Sequence, residues 1–170
     1  DSENPVHIIS FSREEFSSQL EKMVAVRDEP LSVPNEVVLS LIAKSWADHG
    51  GKVLLSGETA DEFFGGYDRI YQWALNAEEF DIDEFLSRYG YLSIDNISDR
   101  IRLRAMTFFQ QVKHLSVFEQ VRQFFLKIHL PVLFRRLDFA LMFSGVEGRE
   151  PLASLKIFEI FKKLRMLSKA

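Results

Sequence analysis

The chain has 170 residues, 46% of them apolar and 16 of them Phe, with a net charge of −4 at neutral pH. That size and composition suit one globular domain with a sizeable core, and interspersed charges without a long basic run argue against a nucleic-acid surface. The lack of any Cys excludes disulfides, thiolate zinc sites and a Cys nucleophile within the chain, and fits a reducing, cytoplasmic setting. Every apolar run breaks well short of the ~20 residues that a bilayer-spanning helix needs, and the start DSENPVHIIS has no basic region. Neither a signal peptide nor a membrane anchor is expected. Because the first residue is Asp and not Met, a chain processed or cut from something longer is expected.

In chain order, Val6 to Phe11 (VHIISF) is short, apolar and β-branched and predicts a buried strand. Ser12 and Glu15 are spaced as a capping box for a helix with Phe16, Leu20, Met23 and Val24 on one face. Asp28-Glu29-Pro30 ends it, and Pro34 precedes a second helix in which Val38, Leu41, Ile42 and Trp46 recur at helical spacing. Gly50-Gly51 stops that helix, and a second buried strand is expected near 52–56. This β-α-α-β-α order predicts a parallel sheet with crossover helices.

From residue 68 onward the pattern is helix upon helix. Asp83 is the expected cap of a helix carrying Phe85 and Leu86, and Ser98 caps one carrying Ile101, Ala105, Phe108 and Phe109. Ser116 with Glu119 is a further capping box ahead of Val121, Phe124, Phe125 and Ile128. Pro131 suits the first turn of the next helix, Gly145 to Pro151 reads as a charged turn, and Ile157, Ile160, Phe161 and Leu164 mark a last helix. The phenylalanine stripes are expected to be core. His7, His49, His114 and His129 have no ligand spacing and read as satisfied or exposed side chains.

The stretch LLSGETADEFFGGY, residues 54–67, concentrates the candidate chemistry. One reading is purely structural: Thr59 and Glu62 form a capping box, Asp61 complements the helix dipole by roughly 0.3–1 kcal/mol, and Gly65 closes the helix. The other is a ligand site. Gly57 follows the carboxyl end of a predicted buried strand, where open α/β sheets bind ligands, and Glu58 is an acid the cap does not need. The acids would repel bare phosphate, whereas a carboxylate-held Mg²⁺ completing its shell with water and phosphate oxygens would reverse that sign.

SGETADEFFGGY resembles the SGEGADELFGGY-type signature of the asparagine synthase family, the amide-forming ATP pyrophosphatase domain of glutamine-hydrolysing asparagine synthetases. LPVLFRRLDFALMFSGVEGREPLAS is similar to the family's later pattern, in which a helix with a DRxSMA core runs into SxEGREPxLD, and VRDEPLSVP resembles its DEP loop. The resemblance spans about Val6 to Phe161. It implies a fragment of a Rossmann-like, adenine nucleotide alpha hydrolase-like α/β domain, with strands near 6–11 and 52–56 and a mainly helical second half. The expected division is an α/β part over 1–67 and a helical part over 68–170.

By the same resemblance, ATP adenylates a side-chain carboxylate, pyrophosphate leaves with Mg²⁺, and ammonia from a glutaminase domain attacks to give an amide. Ser56 and Gly57 would meet the nucleotide, Asp61 would hold Mg²⁺ on the pyrophosphate, and Glu58 would be the catalytic carboxylate, taking a proton from ammonia. Glu62 would serve first as the capping partner and second at the site border, and Glu147 with Arg149 would border the site or equally well form an ordinary ion pair. The cofactors implied are ATP and Mg²⁺, the substrate aspartate or a related carboxylate, and a homo-oligomer is compatible; no nucleic-acid or membrane partner is expected. The family's SGGxDS phosphate loop and lysine segment are unmatched in this chain, Leu141 replaces a customary Ser, and Ala153-Ser154 replaces Leu-Asp. A partial domain, inactive alone, is therefore the expectation, with a non-catalytic binding or scaffold relative as the alternative.

Overall fold

The computed structural model of the chain describes residues 6–90 and 93–160. The chain divides into two compact units, Asp1–Ser56 with Leu133–Pro151, and Gly57–Val132 with Leu152–Ala170. Among the described residues, no helix is long and apolar enough to cross a membrane.

In the first unit, Ser12 starts α1 (Arg13–Arg27) through the expected reciprocal cap: its hydroxyl accepts from Glu15 N at 3.1 Å, and its own N–H donates to the Glu15 carboxylate at 2.7 Å. Asp28 ends the helix in the left-handed region, at φ 56°. In α2 (Asn35–Asp48) the fully buried side chains are Glu36, Val37, Ser40 and Ala43, a stripe rotated from the one that the apolar spacing predicts. The small Ser40 and Ala43 allow close packing, and Gln19 of α1 donates to Ser40 Oγ at 2.6 Å. Trp46 remains 44% exposed, lies against Gly51 and donates through its ring nitrogen to Val53 O at 2.9 Å, which anchors the chain as it enters the sheet.

The sheet of the described residues has two parallel strands, β1 (Val53–Leu55) and β2 (Glu147–Arg149), in the register Val53↔Glu147, Leu54↔Gly148 and Leu55↔Arg149. The strand expected over 6–11 does not form; Val6 and Ile8 are 82% and 87% exposed. A β-branched run becomes a strand only where a neighbour completes its hydrogen-bond ladder, and no described segment does so here. The partner that β1 does take is the charged, glycine-containing segment that reads as a turn. Gly148 permits this pairing because its bare Cα faces Leu141, 0% exposed in a cluster with Ala43, Leu137 and Val146. Leu141, the departure from the family's Ser, is thus an apolar core residue.

The second unit is helical: α3 (Ala60–Phe64), α4 (Asp68–Asn76), α5 (Ile82–Tyr89), α6 (Asp99–Val112) and α7 (Val117–Phe124). Asp81, not Asp83, caps α5, accepting from Asp83 N at 2.8 Å and Glu84 N at 3.0 Å. Ser98 and Ser116 cap α6 and α7 as expected, although Glu119 pairs with Arg122 at 3.4 Å. The phenylalanine stripes are core: Phe85, Phe109, Phe124 and Phe125 are nearly fully buried with Tyr71 and Phe118. Ile101 and Ile128, expected to join them, are 56% and 42% exposed. A π-helical turn, Phe125–His129, leads straight into α8 (Leu130–Met142). Pro131 has no N–H to offer the preceding turn, so one bond of the helical ladder is missing there. Residues 155–160 are helical. Phe161 and Leu164, expected in the same helix, lie outside the described residues.

Candidate functional site

β1 ends at Leu55, and the N–H of the next residue, Ser56, donates to Arg149 O at 2.9 Å, extending the ladder by one bond. The turn of Gly57, Glu58, Thr59 and Ala60 then opens α3, with Ala60 N donating to Gly57 O at 3.4 Å and Phe63 N to Thr59 O at 3.0 Å. Thr59 has φ 82° and ψ −16°, a left-handed conformation unfavourable for a β-branched residue, and is 1% exposed. In the SGEGADE signature this position is Gly, for which the conformation is unstrained.

The capping box expected between Thr59 and Glu62 is not formed. Thr59 makes no cap bond, and its buried Oγ1 has no hydrogen-bond partner among the described residues. The left-handed backbone at Thr59 departs from the extended conformation of a side-chain N-cap, and Glu62 is engaged elsewhere. Glu62 is 2% exposed, and its Oε1 accepts from Tyr67 Oη at 2.5 Å. His129 Nε2 lies 3.3 Å from Tyr67 Oη and 3.7 Å from Glu62 Oε1, while His129 Nδ1 is 2.7 Å from Tyr89 Oη. Since Tyr67 gives its proton to Glu62, its oxygen is open to a donor from His129 Nε2, while His129 Nδ1 pairs with the Tyr89 hydroxyl.

The same segment holds Asp61. Gly65, at φ 77°, closes α3 by donating to Asp61 O at 3.0 Å, and Gly66 N donates to the same oxygen at 3.1 Å. Gly66 then passes directly against the Asp61 carboxylate. Asp61 is exposed and Glu58 is half-buried. Burial raises the Tyr67 pKa, with further contributions from the hydrogen bond to Glu62 and from the charges of Glu62, Asp61 and Glu58. All three carboxylates thus act on the Tyr67 hydroxyl, a local negative field suited to a cation.

The predicted site residues fall into two sets. In the first unit, Ser56, Glu147 and Arg149 come together through β-pairing, and Arg149 Nε donates to Glu147 Oε1 at 3.0 Å in an exposed ion pair. In the second unit, Gly57, Glu58, Asp61 and Glu62 share one turn and helix, and Glu62 is directed inward. No group of three or more His, Asp or Glu among the described residues is arranged as a metal cage. A cation here would take one or two protein carboxylates and complete its shell from elsewhere, which is how Mg²⁺ is held on phosphates. His129 is a satisfied side chain, as its lack of ligand spacing led one to expect, but its pairing with Tyr67 and Tyr89, 62 and 40 positions away, carries no local signal in the sequence.

A sequence profile of the family described as asparagine synthase matches residues 3–170. Proteins of Mycobacterium bovis and Mycobacterium tuberculosis that bear the name of glutamine-hydrolysing asparagine synthetases are 44% identical over 70 residues, 41% of this chain and 10% of theirs. A Bacillus subtilis protein, asparagine synthetase (glutamine-hydrolysing) 1, is 43% identical over 70 residues, 41% of this chain and 11% of its own. The matched stretch is therefore about a tenth of each relative's length. No solved structure matches. The profile covers nearly the whole chain, including both segments that carry the signature residues, and the chain belongs to the asparagine synthase family.

Proposed function

We propose that this chain supplies one wall of the synthetase site of an ATP-dependent, amide-forming ligase of the asparagine synthetase type. The observation that carries the reading is the acidic turn: Glu58 and Asp61 follow directly from β1, within the signature stretch, while Glu62 is withdrawn into the core. The capping account gives Asp61 only a complement to the helix dipole and does not involve Glu58.

In this reading Ser56 and Gly57 approach the nucleotide through their backbone, and the absence of a Cβ at Gly57, with nothing within 4 Å of where one would stand, leaves room for it. Asp61, exposed and fixed by Gly66, is the Mg²⁺ ligand; bound there, Mg²⁺ would neutralise charge on the pyrophosphate. Glu58 takes the proton from attacking ammonia, for which a half-buried carboxylate within hydrogen-bond reach is competent. The reading takes aspartate as substrate by family frequency. Ammonia arrives from a glutaminase domain, and the chain by itself is inactive.

The test is made in the full-length protein that contains this chain. Release of pyrophosphate from ATP should require both Mg²⁺ and a carboxylate substrate and should fall at least a hundredfold in Asp61→Asn, and amide formation with ammonia should fall as far in Glu58→Gln, about the scale of lost charge stabilisation or proton transfer. Pyrophosphate release unchanged in the first variant and amide formation unchanged in the second would remove the acidic turn from the mechanism.

Thr59 favours a second reading. A β-branched residue at φ 82°, where the signature has Gly, is a departure at the heart of the motif, and a non-catalytic binding or scaffold relative could tolerate it. Magnesium-dependent ATP binding without any turnover, in the presence of aspartate and ammonia, would favour that relative over the enzyme.

A further inference from the structure

Helix α3 is five residues long and lacks a side-chain N-cap, so it has little stability of its own. Yet it carries Asp61 and follows directly on Glu58. What fixes it is buried. Glu62 brings a carboxylate to 2% exposure, a placement that costs several kcal/mol unless its oxygens are well bonded. Tyr67 Oη donates to it, His129 Nε2 stands 3.7 Å away, and Tyr71 Oη reaches the Glu62 carbonyl at 3.5 Å.

The partners are themselves held. The Tyr67 ring stacks on Phe125 with centroids 4.6 Å apart, and His129 makes edge contacts with Tyr67, Tyr89 and Phe125. His129 is the last residue of the π-helical turn, and both of its ring nitrogens are engaged, one with Tyr67 and the other with Tyr89 at the end of α5. A widened turn of this kind re-aims a side chain that a regular helix would direct elsewhere. Tyr67 and His129, 62 positions apart in sequence, thus face one carboxylate.

We propose that Tyr67 and His129 are positioning residues for the acidic turn: by holding the Glu62 carboxylate they fix α3, and so set where Glu58 and Asp61 stand. The proposal rests on the amide-forming reading for its catalytic consequence, but not for its structural one. The hydroxyl of Tyr67 and the nitrogens of His129 are the operative groups; their rings alone would serve packing equally well.

The experiment uses the full-length protein with Tyr67→Phe, His129→Gln and His129→Phe. Tyr67→Phe should lower kcat for Mg²⁺- and aspartate-dependent pyrophosphate release about tenfold or more while leaving KM for ATP within about twofold, the effect of mis-set reacting groups. Amide hydrogen exchange over residues 57–64 should quicken about tenfold in the same variant, with no comparable change elsewhere in the second unit. His129→Gln, which retains a donor near the Nε2 position, should keep more of the rate than His129→Phe; a packing role alone would reverse that order. Unaltered kcat and unaltered exchange in Tyr67→Phe, or His129→Phe as active as His129→Gln, would overturn the proposal. If the unsubstituted protein releases no pyrophosphate, the functional reading falls, and the exchange measurement still decides the positioning.

Discussion

Gly66 and Asp61 are in direct apposition: a β-carbon at Gly66 would lie 2.1 Å from Asp61 Oδ1, 2.8 Å from its Cγ and 3.2 Å from its Cα. The carboxylate end could swing away, but the Asp61 backbone could not without disturbing α3. The second glycine of the FFGGY segment is therefore a steric requirement of the acid beside it. Gly65 is needed for a different reason, its φ of 77°.

Gly66→Ala should accordingly cost about 1–3 kcal/mol of stability, the usual range for forcing extra atoms into a packed site. It should also raise the Mg²⁺ concentration needed for half-maximal pyrophosphate release, because Asp61 is displaced. Titrating Mg²⁺ in the full-length protein at a temperature where the variant is fully folded checks this; an unchanged half-maximal concentration would dissociate Asp61 from the metal.

Thr59→Gly should stabilise the protein. Relief of a left-handed β-branched residue is worth about 1–2 kcal/mol and removal of an unpartnered buried hydroxyl about 1–3 kcal/mol, against about 1 kcal/mol each for the lost methyl burial and the flexibility of glycine. A gain on the order of 1 kcal/mol, or about 2–4 °C in Tm, follows. Calorimetry showing a lower Tm would mean that the threonine side chain contributes packing outweighing its strain.

Tyr67 should remain protonated in the native state when ordinary tyrosines have ionised, because burial, the bond to Glu62 and the neighbouring acids all raise its pKa. The unfolded chain gives up that proton near pH 10. The stabilisation linked to Tyr67 is therefore intact below that pH and lost as pH rises beyond it. Tyrosinate absorbance recorded to about pH 11 on the folded protein should have the same amplitude in the unsubstituted chain and in Tyr67→Phe. An amplitude smaller by one tyrosine in the variant would contradict the buried, donating hydroxyl.

In the first unit, Glu36 is 0% exposed; its carboxylate accepts from Arg27 at 2.6 Å, from Ser32 N at 2.7 Å and from Val33 N at 3.3 Å, and so ties the DEP loop to both flanking helices. Glu36→Ala leaves Arg27 and two amides without this acceptor and should cost about 3–5 kcal/mol in denaturant unfolding. A loss below about 1 kcal/mol would show the pair to be dispensable.

Much of the architecture was legible residue by residue. Ser12 with Glu15, Ser98, Ser116 and Gly65 announced helix boundaries because caps are local chemistry, complete within four residues. The phenylalanine pattern marked the core of the second unit because burial repeats at the helical period. Reasoning failed where an outcome depended on a distant partner. VHIISF has strand composition without a described ladder, whereas GVEGREP, read as a turn, contributes β2 because Leu141 accommodates Gly148 beneath it. Asp81 displaced Asp83 as the cap of α5, an error of two residues at a boundary where either acid could serve.

The sequence by itself determined the family signature, the acids of the turn and the two glycines that follow them, since these lie within fourteen consecutive residues, 54–67. Only the tertiary structure decided their division of labour. Thr59 and Glu62 have the spacing of a cap, but Thr59 takes a left-handed backbone and Glu62 turns inward to Tyr67 and His129, leaving Asp61 exposed. The physical reason is that a buried carboxylate needs donors, and the nearest imidazole is supplied by a residue 62 positions beyond Tyr67, a distance no local pattern spans.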